Sequence, residues 1–310
     1  MNTKPIIPIF FSTDNNYAPY LGVAISSLIK NASSNYFYKI HVLTTELSAV
    51  NRRKLKSIAR GNKAEISFVD VTEQVSGILN RLHLRDYYSS ATYYRFFIAD
   101  LFPQYDKALY LDCDIVINGD ISNLYNTPLG SNLLGAVQEE VMQKIAVFGN
   151  YVEKVLEMPK EAYFNAGVLV MNLAEFRRRD VLGEFVALLG KRRFDVTQDQ
   201  DYLNVISYGS TVLVGLEWNK TPMPDDDFEN KSPNLVHYKI NWKPWHYDGV
   251  LYGEDFWEYA LTCNYRRQLL KKSRSYTDAQ RDRDRLAYEN LYRLAERQTK
   301  DAASTILMNA

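Results

Sequence analysis

The chain has few cysteines, no excess of charge of either sign and no long apolar segment. Its 310 residues include only Cys113 and Cys263, which excludes a disulfide framework or a thiolate zinc site and is typical of a reducing compartment. Lys plus Arg and Asp plus Glu both number 37, so no global field favours nucleic acid. No apolar run is long enough to cross a bilayer, and Met1–Phe11 has too short an apolar stretch for a signal peptide. We therefore expect a cytoplasmic protein that does not bind nucleic acid.

The first seventy residues alternate between apolar strands and helices. Strands are expected at Ile6–Thr13, Tyr38–Thr44 and Ala64–Val69, with helices over Tyr17–Lys30 and from the N-cap Ser48. This alternation predicts an α/β fold with a mostly parallel sheet and right-handed crossovers. No Gly-x-Gly-x-x-Gly follows the first strand, which argues against a dinucleotide fingerprint but not against a nucleotide bound in another way.

The rest of the chain is less regular. Further strands are expected at Lys107–Leu111, Ile115–Ile117, Leu133–Val137, Ala166–Met171 and Thr211–Leu216. Further helices are expected at Ser89–Leu101, Val141–Leu156, Asp180–Arg192 and Asp199–Ser207, with a loop at Asp225–Ser232. From Asn264 the composition becomes charged with helical spacing. The pattern predicts one α/β domain over residues 1–262 and a helical C-terminal segment over residues 263–310.

A basic cluster lies at the start of this C-terminal segment. It consists of Arg266, Arg267, Lys271, Lys272 and Arg274, with two leucines between them. Two interpretations stay open: peripheral contact with an anionic membrane at the inner face of the cell membrane, or a solvated helix or oligomer contact.

Four Asp-x-Asp pairs occur in the sequence, and Asp112-Cys113-Asp114 is the pair with apolar strands on both sides; the others are Asp199–Asp201, Asp225–Asp227 and Asp282–Asp284. Side chains alternate along extended backbone, so both carboxylates should face one side and Cys113 should point away into packing. Carboxylates at a strand end can hold a hard divalent cation that carries phosphate oxygens. Asp14 also ends a strand, so it should share a crevice with Asp112.

Other polar residues could complete such a site. With the two aspartates, His237 gives an oxygen, oxygen and nitrogen donor set that suits Mn²⁺, although a satisfied structural histidine is the alternative. Lys243 is either a point charge for a diphosphate or a surface lysine. Asn165 either binds a hydroxyl or caps a strand, and Gln198–Asp201 either caps a helix or holds sugar hydroxyls. Arg95, in an apolar stripe, needs a carboxylate or phosphate partner unless it reaches outward to solvent.

Five motifs occur in one order along the chain: Phe11–Tyr17, Asp112–Asp114, Tyr163–Gly167, Gln198–Asp201 and His237–Trp245. On these motifs the chain resembles family 8 glycosyltransferases, the retaining group that contains bacterial lipopolysaccharide galactosyl- and glucosyltransferases and glycogenin. The resemblance implies a single GT-A type, Rossmann-like nucleotide-sugar-binding domain. It also implies transfer of galactose or glucose from a UDP-sugar to a glycan or lipid-linked cell-surface acceptor.

The resemblance also implies roles for individual residues. The implied Mn²⁺ ligands, for which Mg²⁺ is a possible substitute, are Asp112, Asp114 and His237. The implied donor-binding residues are these three with Thr13, Asp14, Asn16, Tyr17, Arg95, Cys113, Asn165, Ala166, Gly167, Asp199, Gln200 and Lys243. The implied catalytic residues are Gln200, Asp199 and Asn165. The chain departs from the family pattern at Ile240, where a glycine is usual, at Trp242, where a small residue is usual, and at Glu139, where bacterial relatives carry an acceptor-side aspartate.

Two mechanisms and several other functions fit part of this pattern. Retention requires either a double displacement, with Asp199 as the nucleophile, or attack on the face that the leaving group vacates, which we favour. A nucleotide-sugar hydrolase or nucleotidyltransferase would use the same metal but would leave the Tyr163 and Gln198 motifs unexplained. Self-glucosylation on a tyrosine, as in glycogenin, and a non-catalytic sugar-binding protein are further alternatives.

Overall fold

A computed structural model describes residues 4–59, 61, 63–78, 82, 90–223, 232–239 and 241–309, with side chains described as far as residue 302. The predicted loop Asp225–Ser232, apart from its last residue, lies outside these ranges, as does Ile240.

The strands build one large sheet and one small sheet. They are β1 (Ile6–Ser12), β2 (Phe37–Thr44), β3 (Ala64–Asp70), β4 (Lys107–Leu111), β5 (Ile115–Ile117), β6 (Leu134–Gln138), β7 (Phe164–Asn172), β8 (Thr211–Val214) and β9 (Leu235–His237). The large sheet has the order β3-β2-β1-β4-β7-β6-β8, and β5 pairs with β9 in the small one. The pairs β2/β3, β1/β2, β1/β4 and β6/β8 are parallel, whereas β7 runs antiparallel to both of its neighbours. The predicted mostly parallel sheet is confirmed.

The α-helices connect and cover these strands. In the first half they are α1 (Ala18–Asn31), α2 (Ala49–Ile58), α3 (Thr72–Ser76), α4 (Ile98–Leu101), α5 (Ile121–Tyr125), α6 (Glu140–Lys144) and α7 (Ala146–Val155). In the second half they are α8 (Leu173–Arg179), α9 (Val181–Lys191), α10 (Asp199–Ser207), α11 (Gly253–Ala260), α12 (Arg266–Arg274) and α13 (Asp278–Asn309). No helix in the described part of the chain combines the length and apolar character needed to cross a bilayer.

Most expected elements are present, with a few differences at their boundaries. Ser48 caps α2 as predicted, because its side chain accepts a hydrogen bond from the backbone of Asn51. The helix expected over Ser89–Leu101 is instead a 3₁₀ helix over Ser90–Phe97 that continues into α4. The helix expected over Val141–Leu156 is two helices, because the backbone of Ile145 is extended (φ −104°, ψ 112°).

Alternating side chains of the central strands fill two cores, one on each face of the large sheet. Phe10 and Tyr110 point into one core, whereas Ile9, Phe11 and Leu109 point into the other. A parallel sheet buried on both faces is expected to read as nearly continuous apolar runs, as β1 and β4 do. Because the large sheet is packed on both faces, the ends of its strands determine the positions of the residues that follow them.

Residues of the C-terminal segment pack into the two cores on either side of the large sheet. Tyr265 is fully buried in the core that contains α1, and a Cβ on Gly22 would lie 2.5 Å from the Tyr265 ring. Ala295 of α13 is buried in the opposite core, and the rings of Tyr292 and Phe148 are 4.8 Å apart. The helical C-terminal region is thus present as predicted, while the domain boundary between residues 262 and 263 stays a prediction.

Tyr265→Ala should destabilise the whole protein, because it removes a large buried ring that the α1 backbone approaches closely. We expect a loss of about 3–5 kcal/mol in the free energy of unfolding, the usual cost of truncating a buried aromatic side chain. Urea unfolding measures this loss. Tyr208→Ala is the control, since Tyr208 is 51% exposed. Equal stabilities of the two variants would show that the C-terminal segment does not contribute to the core.

Candidate active site

A cavity of about 200 Å³ lies beyond the carboxyl ends of β1 and β4. It is lined by all but one of the site residues predicted from the sequence: Thr13, Asp14, Tyr17, Arg95, Asp112, Cys113, Asp114, Asn165, Ala166, Gly167, Asp199, Gln200, His237 and Lys243. The exception, Asn16, lines a second cavity of about 700 Å³. Tyr17 and Lys243 line both cavities, so the two are adjacent, and the predicted crevice between Asp14 and Asp112 is present.

Asp112, Asp114 and His237 converge from three chain positions. Asp112 follows β4, Asp114 precedes β5, and His237 ends β9, where it pairs across the small sheet with Ile115. One ligand atom from each lies within 4.8 Å of the other two. The imidazole Nε2 is 3.2 Å from Asp114 Oδ1 and 3.7 Å from Asp112 Oδ2. This is the only such donor set in the described part of the chain.

The hydrogen bonds of His237 make its Nε2 available as a ligand. Its Nδ1 is 2.9 Å from Asn219 Oδ1, which can only accept, so the ring proton lies on Nδ1. In the neutral ring the lone pair is then on Nε2, which faces the two carboxylates at close range. Two carboxylate oxygens and an imidazole nitrogen are ligands that suit a divalent transition metal. The donor set therefore fits a divalent metal ion.

Gly167 provides the space for these side chains. Asp112 donates its backbone N–H to the carbonyl of Gly167 at 2.7 Å. A Cβ on Gly167 would lie 2.5 Å from Asp112 Oδ2 and would also overlap the His237 ring. A glycine is needed here because two ligand side chains occupy the volume that any side chain would fill.

Lys243 and Arg95 offset the negative charge of the aspartates. Lys243 Nζ donates to Asp114 Oδ2 and to the carbonyl of Tyr238. Although burial opposes it, the charge of Lys243 holds the pKa of the Asp114 carboxyl well below its usual range. Lys243 is buried and paired with Asp114, so the alternative of an ordinary surface lysine is wrong.

Arg95 is buried and has carboxylate partners. Its Nη2 lies 3.3 Å from Asp112 Oδ1 and its Nε 3.1 Å from Asp199 Oδ2, and Nη1 donates to the carbonyl of Ala166. Its guanidinium also lies 4.2 Å from the ring centroid of Tyr110. Burial raises the pKa of Asp199 to about 6, while the charge of Arg95 opposes that rise. Arg95 thus links Asp112, which follows β4, to Asp199, at the start of α10.

Asn165 and Gln200 belong to a buried network of amides. Gln200 Oε1 accepts from the backbone N–H of Ala166 at 2.9 Å and from Asn165 Nδ2 at 3.2 Å. Asn165 Nδ2 also donates to Glu139 Oε2 at 2.8 Å, and Asn165 Oδ1 accepts from Asn219 Nδ2 at 2.9 Å. The network continues through Asn219 to the imidazole of His237. A buried network of this kind fixes each side chain because a lost partner is costly to replace.

The residues of the Gln198–Asp201 motif have different roles. Asp201 is fully buried, and its carboxylate accepts from Tyr163 and Tyr151 hydroxyls at 2.7 and 2.9 Å and from the backbone of Thr197 at 2.9 Å. Asp201 therefore stabilises the start of α10, as the helix-capping interpretation of this motif predicts. Asp199 and Gln200 instead line the cavity, as the sugar-binding interpretation requires.

The remaining predicted residues hold the backbone near the cavity. Asp14 Oδ1 accepts from the backbone of Asn16 and Tyr17 at 2.8 and 2.9 Å, so it shapes the loop after β1. Cys113 points away from the aspartates as predicted, since its buried Sγ donates to the Ser12 carbonyl at 3.1 Å.

Sequence reasoning missed two residues of the site. Asn219 orients His237, and Lys239 pairs with the buried Glu139. Asn219 follows a short 3₁₀ turn over Leu216–Trp218, a position with no periodic signal. Lys239 lies two residues after His237, so extended backbone would place both side chains on one side, and this spacing was a usable signal.

Comparison with known proteins gives the class. The sequence profile described as Glycosyl transferase family 8 matches residues 8–249. The Lipopolysaccharide 1,2-glucosyltransferase of Escherichia coli K12 is 26% identical over 275 residues, covering 84% of this chain and 79% of that protein. General stress protein A of Bacillus subtilis 168 is 25% identical over 268 residues, covering 79% of this chain and 89% of that protein.

Solved structures give the same result. The galactosyltransferase LgtC, in complex with donor and acceptor sugar analogues, is 27% identical with a TM-score of 0.70, covering 84% of this chain and all of that one. The bifunctional glycosyltransferase WbbM is 28% identical with a TM-score of 0.77 over 89% of this chain, which spans about half, 52%, of that chain. The protein has a GT-A fold. It belongs to glycosyltransferase family 8, as its motifs predicted.

Gly167→Ala should weaken metal binding, because the added methyl group would displace the side chains of Asp112 and His237. We expect Mn²⁺ affinity, measured by electron paramagnetic resonance of the free ion, to fall about tenfold or more, as when the orientation of metal ligands is disturbed. Gly190→Ala is the matched control, since a Cβ there meets no atom within 4 Å. Unchanged Mn²⁺ affinity in a folded Gly167→Ala protein would mean that the three side chains do not form the metal site.

Proposed function

We propose that the protein transfers a hexose, galactose or glucose, from a UDP-sugar to a glycan or lipid-linked acceptor, with retention of configuration and with Mn²⁺ as its metal. The observation that carries this proposal is the close approach of His237 Nε2 to Asp112 and Asp114, with Lys243 beside them. Mg²⁺ can substitute for Mn²⁺, because Mg²⁺ binds carboxylate oxygens. The imidazole nitrogen favours Mn²⁺ over Mg²⁺. When bound, such an ion neutralises charge on a diphosphate leaving group.

The two adjacent cavities support a donor of this size. Small-molecule pockets are usually about 300–1,000 Å³; the first cavity, about 200 Å³, is too small alone, and the second adds about 700 Å³. The nucleoside would lie at Asp14, Asn16 and Tyr17, near the second cavity. The diphosphate would lie at Lys243, and the hexose would lie against the amides of the first cavity. A structure of the relative LgtC holds donor and acceptor sugar analogues, which supports a nucleotide-sugar donor here.

The reaction breaks the bond between the anomeric carbon and the diphosphate oxygen, and the diphosphate keeps the electron pair. The acceptor hydroxyl forms the new bond from the same face, and its proton passes to the departing phosphate oxygen. Lys243 stabilises the charge that develops on the leaving group. The products are UDP and the glycosylated acceptor.

The hydrogen bonds of the first cavity support same-face attack. Both lone pairs of Gln200 Oε1 accept hydrogen bonds, so this oxygen is not presented as a nucleophile. Asp199 is buried and lies 3.1 Å from Arg95 Nε, which makes its carboxylate a weak nucleophile. Asp199, Gln200 and Asn165 would instead hold the hexose and stabilise positive charge at the anomeric carbon.

Glu139, at the position where bacterial relatives carry an acceptor-side aspartate, lines the first cavity, and we place the acceptor there. Burial opposes ionisation, but the pairing with Lys239 lowers the pKa of Glu139 below its usual value. Within the basic cluster, Lys272 bonds to the backbone of Asn16, and membrane contact by the remaining exposed members stays a prediction.

A screen of UDP-sugars tests the proposed donor. With Mn²⁺ and no acceptor, slow hydrolysis should release UDP from UDP-galactose or UDP-glucose, and EDTA should abolish the release. Asp112→Asn should reduce it by about a hundredfold, the scale on which one removed electrostatic stabiliser slows a reaction. Asp106→Asn, at the other end of β4, is the control, because Asp106 is largely exposed. The proposal fails if none of the UDP-sugars binds in the presence of metal.

The same assay separates the alternative functions. A hydrolase would release UDP at the same rate with and without a saccharide acceptor, and no glycosylated product would form. A self-glucosylating protein would gain the mass of one or more hexoses, which intact mass spectrometry would detect.

Trapping experiments test same-face attack. We expect no hexose adduct on Asp199 in the wild-type protein or in Gln200→Ala, while Gln200→Ala and Asp199→Asn both lower kcat by about ten- to a thousandfold through lost stabilisation of the transition state. Peptide mass spectrometry after rapid quenching would detect an adduct. A hexose on Asp199 of the wild-type protein would establish double displacement instead.

A further inference from the structure

The second cavity is lined partly by residues from outside the segment that the family profile matches. That match ends at residue 249, whereas Lys272 of α12 and Asp284 of α13 line the cavity. Asp284 belongs to an Asp-x-Asp pair for which the proposed function has no role. Lys272 and Asp284 each contact a loop whose residues are proposed to bind the UDP-sugar.

Asp284 fixes the segment 241–247, which contains Lys243. Its Oδ2 accepts hydrogen bonds from the hydroxyls of Tyr247 and Tyr276, at 2.8 and 2.7 Å. Its backbone carbonyl accepts from Asn241 Nδ2 at 2.5 Å. One residue of α13 therefore holds this segment at both ends.

Ring contacts add to this attachment. The rings of His246 and Tyr276 are stacked, with centroids 3.7 Å apart and planes 8° apart. The guanidinium of Arg281 lies 5.4 Å from the ring centroid of Tyr247. Trp242, one of the three departures from the family pattern, is 60% exposed and contacts the ring of Tyr247, and it does not line the second cavity. The 241–247 segment is thus held from the side of α13.

Lys272 fixes the loop after β1, which contains Asn16 and Tyr17. Its Nζ donates to the carbonyl of Asn16 at 3.1 Å and lies 5.0 Å from the ring centroid of Tyr20. Burial lowers its pKa, so the ammonium group is partly withdrawn from water on the wall of the cavity. The two donor-binding loops are consequently attached to one pair of helices.

We propose that α12 and α13 form part of the donor site: Lys272 and Asp284 are positioning residues that hold the two loops around the nucleoside end of a UDP-sugar in the second cavity. This inference rests on the proposed function and adds a determinant of donor affinity to it. A loop that is already ordered costs less to immobilise when the ligand binds. The effect of these residues should therefore appear in donor affinity and KM rather than in kcat.

Asp284→Ala tests the attachment of the 241–247 segment. We expect the Kd for UDP with Mn²⁺, measured by calorimetry, to rise about tenfold, because the variant loses the hydrogen bond from Tyr247, the one that joins the Asp284 carboxylate to the segment 241–247. The KM for the UDP-sugar should rise similarly, while kcat at saturating donor changes less than about twofold. Asp282→Ala is the matched control, since Asp282 is exposed two residues away on the same helix and alanine suits a helix at both positions.

Two further measurements show whether a change in UDP affinity comes from the segment 241–247 and not from a general folding defect. Hydrogen exchange of residues 241–247 in the ligand-free protein should be faster in Asp284→Ala than in Asp282→Ala. Tyr276→Phe removes one of the hydrogen bonds to Asp284 and should raise the Kd for UDP by a smaller factor.

Lys272→Met tests the other attachment, and Lys272→Arg should restore most of the affinity for UDP because it keeps a donor and a charge. If the wild-type protein binds UDP and the folded Asp284→Ala and Lys272→Met variants bind it equally well, this inference is wrong and the proposed function stands. If the wild-type protein does not bind UDP with Mn²⁺, the donor site and this inference both fail.

Discussion

Two carboxylates and an imidazole nitrogen are held within 4.8 Å of one another, and several neighbouring residues maintain that arrangement. Antiparallel pairing of β5 with β9 brings His237 to the aspartates. Gly167 leaves the space that their side chains need. Asn219 fixes the ring so that Nε2 faces the carboxylates. A divalent cation between these atoms would be coordinated by two oxygens and one nitrogen at once, which is why the site fits such an ion.

One positively charged side chain lies beside each of the two aspartates. Lys243 contacts Asp114 on the side of the second cavity, and Arg95 contacts Asp112 on the side of α10. Buried charges of this kind are stable because each is paired and hydrogen-bonded. Lys243 therefore lies beside Asp114, where the proposed diphosphate would bind, and Arg95 lies beside Asp112, where the proposed hexose would bind.

The sequence predicts the first half of the sheet well, because alternating strands and helices leave little choice of topology. It does not reveal that β7 runs antiparallel, since a fully buried apolar strand looks the same in either direction. The convergence of Asp112, Asp114 and His237 on one cavity could be predicted, because strand ends and family motifs mark these residues. The roles of Asn219 and Asp284 could not, since Asn219 bonds to His237, 18 positions away, and Asp284 bonds to Asn241, 43 positions away. Such contacts depend on the packed structure rather than on local pattern.

The most direct test of this account is the coupling between metal and nucleotide. If Asp112, Asp114 and His237 hold an ion that carries the diphosphate, Mn²⁺ must raise the affinity for UDP, and UDP must raise the affinity for Mn²⁺ by the same factor. Calorimetry of UDP with and without Mn²⁺, paired with electron paramagnetic resonance of Mn²⁺ with and without UDP, measures both factors. We predict equal factors of at least about tenfold. A UDP affinity that Mn²⁺ does not change would contradict the account.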